Sequence, residues 1–462
     1  MTEEVPIRAD GRLDERCEGA MPRRAFLRTG LTGLSALGLS DLLAARARAG
    51  APVSPGSSGP SMIVVWLWGG PSHLETFDPK PEAPAEYRGS FGAIPTNVPG
   101  ISITEKLPRL ARLADKYCLV RSCAHDSPGH VNATHTVITG YPGELIEAAP
   151  FAPRYPDVFT VAHKVLPPRR ASIPQYIGLP QLRYIGGGHL GPSYGPFSVA
   201  ADPNAPGFGV PSLLFDDARR ARLEGRAGLL DAFDGMRTDV DRSGVMDAMD
   251  TYRRQAAEML TGPAARQSFD LSREDPRLRD RYGRDAVGQR CLLARRLVEA
   301  GARLVTVDFP TVPGQKAFSW DDHASVWNIF EQMEIRLPVL DRAISALIED
   351  VFARGLDRET LIVVMGEMGR TPRLSDFKGQ PGREHWPGAM SFLMSGGGMP
   401  MGQVIGATTA KGEEPRDRRL SPGDVLATWY TYLGIDPRLS FPDHAGRPIG
   451  LLPGGEPIRE LI

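Results

Sequence analysis

Five short apolar runs punctuate the chain: Met62–Trp68 (MIVVWLW), Cys118–Ser122 (CLVRS), Arg303–Phe309 (RLVTVDF), Thr360–Met365 (TLIVVM) and Ser391–Ser395 (SFLMS). Runs of this length, with little polar alternation, predict strands buried on both faces. Helical patterns fall between and after them, over Lys106–Lys116, Pro128–Ile138, Asp285–Ala300, about Ser325–Ala353 and Pro422–Leu433, with Ser421 as N-cap of the last. Strands alternating with helices predict an α/β three-layer sandwich around a mostly parallel sheet. The Pro- and Gly-dense stretch Ile146–Gly209 predicts loops and short helices over the sheet. A charged, helical insertion falls at about 215–282, inside one large domain covering 61–462.

The segment before the first strand has a different composition. Pro22–Ala49 carries Arg23-Arg24, then Phe26-Leu27, a mildly apolar Gly-containing run and Ala47-Arg48-Ala49. These are the three regions of an export signal ending in a small-x-small cleavage site, too short and weakly apolar to span a membrane. The pattern resembles a twin-arginine signal over 21–49, after a leader extension at 1–20, and implies a periplasmic or extracellular destination. Residues 50–60 read as a flexible linker.

Composition changes the picture little. With 54 basic and 55 acidic residues the net charge is −1, so nothing global recruits nucleic acid or an anionic membrane. The four cysteines form no CxxC pair or zinc spacing and read as small buried apolar residues. Cys118 and Cys123, five apart, are expected on opposite faces of a strand.

Polar chemistry follows the apolar runs. After the first comes GGPSHLETFDPKP, with Ser72, His73, Glu75, Asp78 and Lys80; after the second, CAHDSPGHVNATH, with His125, Ser127, His130 and His135. SWDDH supplies Asp321 and His323, GEMGRTP supplies Glu367 and Arg370, and GREHWPG supplies Arg383, Glu384 and His385. In a parallel sheet these segments meet at the edge where ligands bind. Carboxylates and imidazoles gathered there have the donor chemistry for a divalent ion, and arginines beside them suit an anion. Asp321 and His323, two apart in an extended loop, face one side. Ser127 as N-cap and Pro128 at the first position would set His130 in the first turn of a helix, where unpaired amides favour an anion. Asp443-His444, between turn signals, reads as structural.

The arrangement resembles the alkaline phosphatase/sulfatase superfamily. The matching pieces are the start at Met62–Asp78, ITGYPG at Ile138–Gly143, the strand TLIVVMGEMG, REHW and the closing GRPIGLLPGG at Gly446–Gly455. GGPSHLETFDPKP, SWDDH, GEMGRTP and GREHWP together look like the secreted domain-of-unknown-function family 1501. The resemblance implies a metal-dependent hydrolase of sulfate or phosphate esters acting through metal-activated water. Metal ligands would be Asp78, Asp321, His323, Glu367 and His385, holding Zn, Mn, Ca or Fe; His130, Arg370 and Glu367 would be catalytic, and Arg370, Arg383 and Ser72 would bind the anion. Two departures weigh against turnover: Met368 stands where relatives carry a histidine, and no Cys-x-Pro-x-Arg exists to form a formylglycine. The alternative is a catalytically silent relative that binds sulfated or phosphorylated glycans.

Overall fold

The computed structural model describes residues 59–144, 151, 153–170, 172–210, 263–309 and 311–462. The signal, the leader, most of the linker and much of the helical insertion lie outside the described residues. Among the described residues, no helix is long and apolar enough to cross a membrane.

Eight strands form the central sheet: β1 (Ser61–Trp66), β2 (Tyr117–Cys123), β3 (Tyr176–Leu179), β4 (Phe197–Ser198), β5 (Leu304–Asp308), β6 (Thr360–Met365), β7 (Met390–Gly396) and β8 (Gln403–Ile405). Their spatial order is β8-β2-β7-β6-β1-β5-β3-β4. Every neighbouring pair is parallel except those made by β7, which runs against both β2 and β6. The five apolar runs thus supply five of the eight strands, while β3 and β4 emerge from the segment read as loops. All six residues of β1 and of β6 are buried, as strands covered on both faces must be.

Five long helices complete the layers: α1 (His130–Thr139), α2 (Val158–Val165), α3 (Ala286–Ala300), α4 (Ile329–Ala353) and α5 (Pro422–Leu433). Alternation along β1 sorts the core. Ile63 and Val65 pack with Leu293, Leu297, Ile344 and Leu347 of α3 and α4, whereas Met62, Val64 and Trp66 pack with Val137, Phe159 and Trp429 of α1, α2 and α5. This is an α/β three-layer sandwich.

Three local expectations need correction. The helix expected at Lys106–Lys116 is two short turns, Pro108–Ala111 and Ala114–Lys116, because the Asn97 N–H takes the Ala111 carbonyl at 2.8 Å. Helix α1 starts at His130 with Gly129 as N-cap, whose N–H donates to Asn132 Oδ1 at 2.9 Å; Ser127 instead pairs its hydroxyl with that of Thr136. Cys118 and Cys123 share one core face, since an extra residue in β2 between Val120 and Cys123 breaks the alternation.

Leu347 is fully buried between α4 and the sheet. Leu347→Ala is expected to lower unfolding free energy by about 2–5 kcal/mol, read from denaturant midpoints. An unchanged midpoint would contradict this packing.

Candidate metal centre

Strands β1, β2, β5 and β6 run the same way, so their carboxyl ends share one edge of the sheet. Beyond β1 the chain reaches Gly69 at φ 107°, where a Cβ would stand 2.6 Å from the Asp321 nitrogen. Only glycine permits that approach. It lets Trp320 donate its N–H to the Trp68 carbonyl at 2.8 Å and brings the Asp321 loop onto the strand end. From α4, the fully buried Arg336 grips the same loop through the Ser319 carbonyl and the Asp322 carboxylate, its guanidinium 4.5 Å above the Trp320 ring. Beyond β6, Glu367 is fully buried and accepts the Gly69 N–H at 2.8 Å. A two-residue ribbon then sets Arg370 opposite His385.

The imidazoles converge on Asp321. His323 Nε2 lies 2.8 Å from Asp321 Oδ1, His385 Nε2 lies 3.1 Å from the same oxygen, and His130 Nε2 lies 3.3 Å from Oδ2. Each ring's other nitrogen meets a group that can only accept. His130 Nδ1 donates to Glu367 Oε1 at 2.8 Å, His385 Nδ1 to the Pro128 carbonyl at 2.8 Å, and His323 Nδ1 to the Glu384 carboxylate. With Nδ1 protonated, a neutral ring presents a lone pair at Nε2. Three such lone pairs facing a carboxylate repel unless a cation, or an extra proton on each ring, lies among them.

One orphaned atom agrees with a cation. Glu367 Oε2 is buried without a hydrogen-bond partner, although desolvation penalises a carboxylate. The donor atoms of His130, Asp321 and His385 all lie within 4.8 Å of one another. Nitrogen and carboxylate donors with outer carboxylates orienting the rings fit a divalent transition ion.

Without a cation the cluster holds protons. Burial disfavours charge on His130, but the pull of the Asp321 and Glu367 carboxylates overcomes it and raises the pKa to about 9. For His323 the Asp321 hydrogen bond is the largest influence and also raises it. Burial works against charge on Asp321, yet the surrounding imidazoles and Arg370 hold its carboxyl far below the usual range.

The remaining expected site residues sit elsewhere. Asp78 is buried against Lys80 at 2.9 Å and Arg121 at 3.4 Å, and accepts the Thr408 hydroxyl, so it makes no contact with the cluster. Arg383 is fully buried in a bidentate pair with Glu75, at 2.9 and 2.7 Å, and bonds three backbone carbonyls besides. Arg370 bonds the carbonyls of Gly69, Gly70 and Arg383 and pairs with Asp321 at 2.5 Å. Both guanidiniums are therefore structural ties, not open anion receptors. Ser72 is buried, with its hydroxyl unpartnered and outside the cluster. His125 and His135 bond backbone groups through both nitrogens. Asp443 closes a hairpin turn on Ala445 and Arg447. Met368 is buried against Gly70.

Three residues at this edge have roles that a reading of motifs alone does not assign. Glu384 orients His323 and is held in turn by the Ser375 hydroxyl at 2.9 Å. Asp308 ends β5; burial pushes its carboxyl up to about 6, against the pull of Arg183 and Arg290. Trp68 lies two residues beyond β1, its ring 5.5 Å from that of His130. The strand-end position was the available signal for Asp308 and Trp68.

The chain belongs to the family described as "Protein of unknown function (DUF1501)", which matches residues 60–462. No curated protein matches it. Solved structures similar to it include the PsFucS1 sulfatase from Pseudoalteromonas sp., at 13% identity and a TM-score of 0.38, covering 90% of this chain and 73% of that one. The phosphonate monoester hydrolase of Agrobacterium radiobacter matches at 12% identity and 0.32, covering 87% and 77%. The C-terminal periplasmic domain of EcEptC from Escherichia coli, in complex with Zn, matches at 10% and 0.34, covering 87% and 96%. At those scores the likeness carries no argument about activity.

The proton chemistry gives a test on chelator-treated protein. The folded pKa of His130, about 9, lies above an unfolded value of roughly 6.5, so its stabilisation is complete below the lower figure and lost as pH rises through the higher. The depressed Asp321 contributes above roughly pH 4 and does not change in that window. Tm of the metal-free protein should fall from pH 6.5 to 9, and added Zn²⁺ should raise it most at the upper end. A flat profile with no metal effect would contradict the assignment.

Proposed function

We propose that the chain is an exported, metal-dependent hydrolase of sulfate or phosphate esters. The observation that carries the reading is the convergence of three Nε2 atoms on Asp321 while each Nδ1 is fixed as a donor. His130, Asp321 and His385 would hold the cation, with His323 and Glu367 beside them. A divalent ion there supplies Lewis acidity and lowers the pKa of a coordinated water. Imidazole-rich donors favour Zn or Fe over Ca and Mn, which suit oxygen ligands.

The chain's own groups have distinct tasks. Arg370 offsets the Asp321 charge, so the pocket is not left with two bare carboxylates. Glu367 Oε1 fixes the His130 ring while Oε2 remains available. Glu384 does the same for His323 from the outer side. Export rests on the twin-arginine-like segment at 21–49.

A second reading, a catalytically silent protein that binds sulfated or phosphorylated glycans, is favoured by one observation. Met368, at the position where the resembled relatives carry a histidine, is packed in the core and offers no imidazole to an ion.

Elemental analysis with turnover of p-nitrophenyl sulfate and phosphate separates these readings. Near-stoichiometric metal is expected, lost in His385→Ala, with hydrolysis reduced by roughly 10–100-fold or more in Glu367→Gln. Metal without turnover of any ester would favour the binder. Absence of metal in the wild type would defeat the hydrolase.

A further inference from the structure

The anion that such a site accepts needs a cation with free donors, and neither buried arginine of the strand edge has them. Arg370 and Arg383 direct their N–H groups to backbone carbonyls and to Asp321 or Glu75. Arg336 is engaged with Ser319 and Asp322, and Arg290 with the Asp308 carbonyl. Arg183 differs. Its side chain is exposed and, among the described residues, makes no hydrogen bond or ion pair, yet its guanidinium carbon stands 4.0 Å over the Trp68 ring. Trp68 is in turn 5.5 Å from the His130 ring, so the free guanidinium lies two side-chain contacts from the metal ligands.

We propose that Arg183, laid on Trp68, is the anion-binding residue of this site, receiving the sulfate or phosphate group of the ester. The proposal rests on the reading of the cluster as an ester-binding centre. A guanidinium stacked on an indole keeps its in-plane N–H fork open to a tetrahedral oxyanion, and stacking removes part of the entropy that an exposed arginine would lose on binding.

The surroundings hold this pose. Tyr184, next in the chain, sits at φ 60°, a left-handed conformation that a non-glycine residue keeps only where packing fixes it. Its ring packs 6.5 Å from Trp68 and 5.6 Å from Phe151. Phe318, 55% exposed, packs 5.8 Å from the Trp68 ring, giving the organic part of the ester an apolar wall. Trp68 Nε1 is buried without a partner, a second unused donor on the same wall. Asp308 is the nearby carboxylate that opposes an anion; it feels Arg183 electrostatically but forms no ion pair with it.

Calorimetric titration with inorganic phosphate and with sulfate tests the assignment, on wild type, Arg183→Met and Arg183→Lys, with metal content measured on each sample. Arg183→Met should weaken anion affinity about tenfold or more, the value of losing hydrogen bonds to a charged group. Arg183→Lys should fall between, since an ammonium keeps the charge but not the fork. Metal content should be the same in all three. Equal anion affinity in wild type and Arg183→Met, or no anion binding by the wild type, would overturn the role of Arg183 even if metal is present. Loss of affinity in Arg183→Met from a wild type without metal would uphold Arg183 and overturn the metal centre instead.

Discussion

Which nitrogen of each imidazole carries the proton governs the strand edge, and the acceptors around the three rings decide it. Glu367, Glu384 and the Pro128 carbonyl each accept a hydrogen bond from an Nδ1–H, so that His130, His323 and His385 turn their Nε2 atoms toward Asp321. Had any of these acceptors been a donor, that ring could have satisfied Asp321 with an N–H and no cation would be called for. Instead the geometry asks for positive charge at one point, and protons or a divalent ion are the two ways to supply it.

The fold imposes this convergence by tying separate segments to one place. Gly69 allows the Asp321 loop to lie against the end of β1, and its N–H holds Glu367 from the end of β6. Arg336 and Arg370 bind that loop from opposite sides, one from α4 and one from the short ribbon. Because both guanidiniums are buried among several acceptors each, truncating either would strand carboxylate charge in the interior, a change costing about 3–5 kcal/mol for buried pairs. Stability and site geometry are therefore coupled.

The frame, and the residues that the fold gathers around Asp321, were legible in the sequence. Five strands followed from uninterrupted apolar runs, and helix α5 with its Ser421 cap followed from period and capping residues. Strands β3 and β4 were hidden because they are short and lie among prolines and glycines. The polar segments after β1, β2 and β6 pointed to Glu367 and His130, and SWDDH and GREHWPG to Asp321, His323 and His385. What a linear reading lacks is partner choice. Asp78 and Arg383 have the right chemistry for ligand and anion receptor, but Lys80, Arg121 and Glu75 occupy them first. Glu384 adjoins His385 in the chain yet serves His323, a pairing that only the folded loop creates.

Anomalous X-ray scattering from crystals of protein loaded with Zn²⁺ tests the central claim most directly. A peak within about 2.0–2.2 Å of His130 Nε2, His385 Nε2 and an Asp321 carboxylate oxygen is the predicted result. A loaded crystal with no peak among these atoms, or with N–H···O bonds from all three rings to Asp321 and the ion elsewhere, would contradict it.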